Sequence, residues 1–208
     1  MGTRSLAAII TVLLIAAAGC TNARKARLHP TPPGLGHLPY SDADADFMAG
    51  MIPHHAQAVI MAGWAPTHGA RQDVAILCER IVVAQRDEIA MMREWLADRG
   101  LEVPDATSTR HKMKMDGMVH EMLMPGMLTD EEMAALDKAR GPEFDRLFLE
   151  GMIKHHAGAL TMVQELFATA GAGQDSEIYA FASDVDADQR MEIDRMAAML
   201  AAIKEQVK

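Results

Sequence analysis

The strongest constraint on this chain is a ten-residue phrase that occurs twice. Residues Phe47–Ala56 read FMAGMIPHHA, and Phe148–Ala157 read FLEGMIKHHA. A constant offset (155 − 54 = 101) carries Phe47 onto Phe148, Gly50 onto Gly151, Met51 onto Met152 and His54-His55 onto His155-His156. Ala58 and Met61 map onto Ala159 and Met162 in the same way. A second block repeats at an offset of 104 (192 − 88), where Gln85, Arg86, Glu88, Ile89 and Met92 match Gln189, Arg190, Glu192, Ile193 and Met196. Each half thus predicts a helical hairpin. Neither hairpin alone covers its apolar face, so the two together predict an all-α antiparallel four-helix bundle.

The punctuation of the chain agrees with that plan. Ser41-Asp42 offers an N-cap, and apolar residues at helical spacing follow through Phe47, Met51, Ile52, Val59, Ile60 and Trp64. Pro53 removes one backbone donor, so it either kinks this helix or begins it. A break at Pro66–Gly69 precedes a second helix from about Ala70 to Asp98. Thr129-Asp130-Glu131-Glu132 is a capping-box pattern opening a short helix to about Ala139. Gly141-Pro142 leads into a helix from about Glu143 to Ala170, and a last helix starts at Asp175 or Ser176. Helix formers dominate, and no stretch reads as a convincing strand.

The first forty residues read as an address and a tether. Arg4 precedes a short apolar run, Leu6–Ala18, that ends in Ala17-Ala18-Gly19-Cys20. The run is short for a bilayer span and has the flanks of a secretory signal over residues 1–19. Small residues before Cys20 resemble a bacterial lipobox, with Ala17 where leucine is usual, so Cys20 is the candidate lipidation site. A conventional signal peptide is the alternative, and both readings place the mature protein outside the cytoplasm. Residues 20–40, rich in Pro and Gly, predict a flexible tether before a domain at 41–208. The formal charge of −9 without a basic stripe argues against nucleic acid as a partner. After Cys20 the sequence contains only Cys78, in an apolar helical run, which predicts a small buried residue.

Histidine and methionine in matched contexts are the chemistry on offer. On a helix, Met51 lies one turn from His54 and His55, and Met61 continues that side; Met152, His155, His156 and Met162 repeat the stripe. Imidazole with thioether suits a soft or borderline ion, copper first. Adjacent histidines diverge by about 100° around the axis, so one of each pair is expected inward and the other in a seam. Glu88 and Glu192 could ligate, orient an imidazole from behind, or simply pair with nearby arginines, the last being the commonest use. A second signal is the Met-rich connector 110–128, in which Met113, Met115, Met118, Met122, Met124 and Met127 alternate with His111 and His120. Its polar spacing favours Cu(I) capture over a packed loop.

FMAGMIPHHA, GMLTDEEMAAL and FDRLFLEGMIKHHAGAL resemble the bacterial "domain of unknown function 305" family over most of Ser41–Ala202. The resemblance implies a ferritin-like bundle, commonly exported, with some members linked to copper. It carries His54, His55, His155, His156, Met51 and Met152 over as ligands. A di-iron oxidase is disfavoured because no Glu-x-x-His occurs in the chain, and an enzyme is the minority reading. The expectation is a metal-binding protein for Cu(I), Cu(II) or both, handling copper in the cell envelope and touching the membrane only through its lipid anchor. The alternative is a helical interaction or stress module whose histidines only pack. Oligomeric state and a copper-delivery partner stay open.

Overall fold

Four long helices carry the chain back and forth. The computed structural model describes residues 27–29, 39–115 and 117–206. The signal-like run, Cys20 and most of the proposed tether lie outside the described residues. Helix α1 spans Asp42–Gly63, a single turn α2 spans Ala65–His68, and α3 returns over Gln72–Asp98. Helix α4 (Asp130–Lys138) precedes the second hairpin, α5 (Pro142–Ala168) and α6 (Ser176–Gln206). Helix α1 packs against α3, α5 against α6, and α1 against α5.

The caps sit where the sequence places them. Ser41 and Asp44 form a reciprocal capping box at the start of α1, as Thr129 and Glu132 do at α4. Pro53 lies inside an unbroken α1.

Two strand pairs correct the expectation of no strand. Leu28–His29 (β1), within the segment expected to be a tether, pairs antiparallel with Tyr40–Ser41 (β2). Within the connector, β3 (His111–Met115) and β4 (Met118–Met122) form an antiparallel hairpin. Its period-two alternation of Met or His with other residues is a strand signal that the methionine count obscures.

The core divides into two apolar clusters. One gathers Phe47, Met51, Trp95, Val163 and Phe181; the other gathers Met61, Leu77, Cys78, Phe144, Phe148 and Met152. Along α1 the clusters meet around His54–Gln57, along α3 around Gln85–Glu88, along α5 around His155–Gly158 and along α6 around Gln189–Glu192. The repeat therefore builds a polar layer across all four long helices, sealed on both sides by hydrocarbon.

Candidate metal centre

That layer contains every repeated histidine. His54, His55, His155 and His156 are all 0 % exposed, which corrects the expectation of one inward member per pair. His54 and His155 meet across the α1–α5 contact, their ring centroids 3.8 Å apart. His55 points to α3, where its Nε2 lies 2.7 Å from Glu88 Oε2, and His156 points to α6, where its Nε2 lies 2.6 Å from Glu192 Oε2. Only the second of these is aligned as a hydrogen bond. The glutamates thus face imidazoles rather than arginines, overturning the expectation that pairing with arginine comes first; Arg190 instead pairs with Asp186.

The backbone carbonyls fix the tautomers of the central pair. His155 Nε2 donates to the carbonyl of His54 at 3.0 Å, and His54 Nε2 donates to the carbonyl of Pro125, also at 3.0 Å. A carbonyl only accepts, so each ring carries its proton on Nε2 and presents a bare Nδ1. Nδ1 of all four histidines is buried without a hydrogen-bond partner. Burial, followed by the charge of His55, lowers the pKa of His54 to about 3. Burial and the neighbouring histidines likewise push His155 well below its usual value. Both rings are therefore neutral at ordinary pH, the form that donates a lone pair to a metal. An imidazole held through its second nitrogen by a carbonyl or carboxylate is the usual posture of a metal ligand. Among the described residues, no group of three or more His, Cys, Asp or Glu side chains is arranged to hold a metal ion. A bound ion would need thioethers, or a modest shift of the rings.

The connector reaches this layer through three residues that the repeat pattern did not single out. At the position where the first repeat has Gln57, the second has Gly158. Gln57 clamps Leu128 at both ends, its Nε2 donating to the carbonyl (3.0 Å) and its Oε1 accepting from the amide (2.7 Å). Gly158 lets the chain pass, since a Cβ there would lie 1.9 Å from Pro125 O. Gly126, at φ +75°, makes the turn beside it. The divergence between the two repeats was the available signal for these contacts. Met61 and Met162, both buried, reach reciprocally over Gly151 and Gly50 of the opposite helix, and Met124 also lies against Gly50. Met51 and Met152 are fully buried core residues, one in each apolar cluster.

The hairpin forms a separate constellation. Its register pairs His111 with Met122, Met113 with His120 and Met115 with Met118. Alternation then puts His111, Met113, Met118, His120 and Met122 on one face; the side chain of Met115 lies outside the described ones. His111 is buried, and burial lowers its pKa, with Asp46 of α1 opposing the shift. Met118, His120 and Met122 are exposed. Met127 is buried and does not join this face.

A cleft of about 190 Å³ between α3 and α6 opens onto the opposite side of the layer, lined among others by Gln85, Glu88, Asp188, Gln189 and Glu192. Burial, then the charges of Glu88 and Glu192, raise the pKa of Asp188.

No curated protein matches this sequence. Among solved structures, a DUF305 protein of Streptomyces coelicolor assigned as secreted is 29 % identical, with a TM-score of 0.65, covering 78 % of this chain and 94 % of its own. A DUF305 fragment from Deinococcus radiodurans shares the fold at 24 % identity and a TM-score of 0.64, covering 79 % of this chain and 99 % of its own. CopM in its Cu(II)-bound form is 28 % identical with a TM-score of 0.59, covering 76 % of this chain and 96 % of its own. CopM has also been solved in Cu(I)-bound, silver-bound and apo forms. The model of the domain of unknown function DUF305 matches residues 44–200, three-quarters of the sequence, so the chain belongs to the DUF305 family.

Proposed function

We propose that this protein binds copper in the cell envelope, as an exported and Cys20-anchored ferritin-like four-helix bundle that sequesters the ion or hands it on. The observation that carries the reading is the set of four buried imidazoles with Nε2 facing a carbonyl or carboxylate and Nδ1 bare. An unpartnered buried polar atom costs about 1–3 kcal/mol, so a layer with four unpartnered Nδ1 atoms is expensive as packing alone. The similarity to CopM, solved with Cu(I), Cu(II) and silver, supports the choice of metal. The helical layer supplies imidazole nitrogen with Met51, Met61, Met152 and Met162 nearby in sequence register. The hairpin face of Met113, Met118, His120 and Met122 supplies thioethers suited to Cu(I).

A second reading, an interaction module, draws on one contact: His155 donating to the His54 carbonyl stitches the two hairpins together without any metal. Titration of the purified domain with Cu(II), and with Cu(I) under reducing conditions, separates the two. Copper uptake tighter than by a His-containing control protein supports the first reading. Uptake no tighter than the control leaves the second.

A further inference from the structure

The cleft between α3 and α6 holds features that neither packing nor the histidine ligands explain. Gln85 and Gln189 line it from opposite helices, 3 % and 4 % exposed, and the Oε1 of each is buried with no hydrogen-bond partner. They are equivalent residues of the repeat, so the same unsatisfied acceptor was built twice. Glu88 and Glu192 stand one turn further along each helix, with side chains 19 % and 22 % exposed. Each glutamate lines the cleft and sets its Oε2 against a fully buried imidazole, His55 or His156. Asp188 adds a third carboxylate from the exposed surface. Arg80 and Arg195 also line the cleft, leaving one net negative charge among these groups.

We propose that this cleft is the portal through which a hydrated divalent transition-metal cation reaches the buried histidines. The inference rests on the metal-binding reading of those histidines. A hydrated ion must lose its water shell to reach buried nitrogens, and an apolar seal over the layer would leave those waters unreplaced. Two amide oxygens and two carboxylates offer oxygen donors that replace departing waters one by one, as hard-ligand sites do. Asp188 raises the local cation concentration before that exchange. The two glutamates then stand within one contact of the His55 and His156 rings, so the ion's last oxygen ligands already touch side chains whose Nδ1 atoms are unpartnered. Transit ligands of this kind change rates in both directions and leave the equilibrium nearly untouched.

The test uses the mature chain and Cu(II) alone, mixed by stopped flow with a coloured chelator reporting free metal. Gln85→Leu/Gln189→Leu keeps the volume and removes both amide oxygens; it is expected to slow association and release together by about tenfold, within the range that focused clefts achieve. Its equilibrium affinity stays within about twofold, because the transit groups act equally on both directions. Asp188→Asn, a surface change with little consequence for folding, is expected to reduce the dependence of the association rate on ionic strength. Unchanged rates in the leucine variant, with an unchanged salt response in Asp188→Asn, overturn the portal while leaving the histidine site intact. If the leucine variant does not fold, the salt response of Asp188→Asn decides alone. Absence of Cu(II) binding by the unmodified chain overturns the functional reading, and the portal with it.

Discussion

The histidine layer and the connector hairpin present the same two residue types in opposite physical states. In the layer, four imidazoles are fully buried, and the Nε2 atoms of His54, His155 and His156 are held by hydrogen bonds. In the hairpin, Met118 is 61 % and Met122 44 % exposed, and the ladder alone sets their spacing. Burial and the two carbonyls give His54 and His155 a fixed tautomer and a neutral ring, so their Nδ1 atoms are ready without a change of protonation. Exposure gives the hairpin adaptable thioethers that need no deprotonation. One region is built to hold; the other is built to be reached. Pro125 joins them, because its carbonyl fixes His54 while its backbone crosses α5 at Gly158.

Acid should break the contrast most severely. The unfolded chain binds protons at its histidines near pH 6.5, whereas folded His54 does so only near 3 and His155 well below its usual value. The unfolded state therefore holds more protons in that interval, and stability falls as pH drops below about 6.5. The slope is about 1.4 kcal/mol per pH unit for one such histidine, so two units remove on the order of 3 kcal/mol through His54, and His155 acts in the same direction. Urea midpoints measured from pH 7 to 4.5 check this, and His155→Asn should flatten the curve. A flat profile in the unmodified chain would show that the rings are not buried neutral.

Gly158→Ala attacks the joint between the regions. The new Cβ has to displace backbone, which costs about 3 kcal/mol, the upper end of ordinary overpacking. Loss of the Pro125 carbonyl also frees the proton of His54 Nε2, so Cu(II) affinity should drop together with thermal stability. Destabilisation with normal Cu(II) binding would mean that the connector plays no part in setting the histidine. His155→Ala is expected to cost about 2 kcal/mol, since the cavity term is offset by removing an unsatisfied nitrogen. The same change should abolish Cu(II) binding while hairpin Cu(I) binding persists, and retention of both metals would remove His155 from the site.

The helices were legible because their periodicity, caps and breakers agreed, and the histidine layer was legible because duplication made its members conspicuous. The orientation of each pair was not, since a helical wheel assumes a single buried face, whereas α1 and α5 lie against helices on more than one side. The partnership of Glu88 with His55 ranked below an arginine pairing because arginines stand closer in sequence than histidines do. The strands of the connector were hidden by treating HKMKM and MVHEM as ligand lists rather than as alternations. Pro125, Gly126 and Gln57 speak only through contacts some seventy residues away or less, which no local pattern encodes.

The smallest effect on stability should come from the hairpin itself. Replacing Met113, Met118 and Met122 with leucine keeps apolar volume, and Met118 and Met122 are exposed, so thermal stability should change by no more than about 0.5 kcal/mol. Sulfur lone pairs vanish in the same stroke. If the hairpin face is the thioether set, Cu(I) capacity falls while Cu(II) binding to the layer stays as it was. His120 pairs across the ladder with Met113, so adding His120→Ala should remove whatever Cu(I) binding the leucines leave. Competition titrations with a Cu(I) chelator read both steps. Normal Cu(I) uptake by the leucine variant would assign the thioether chemistry to the buried methionines, Met61 and Met162 foremost, whose methyl ends already meet the glycines of the facing helix. Loss of both oxidation states from the hairpin variant would instead mean that the two regions close on one ion, with Pro125 as the hinge between them.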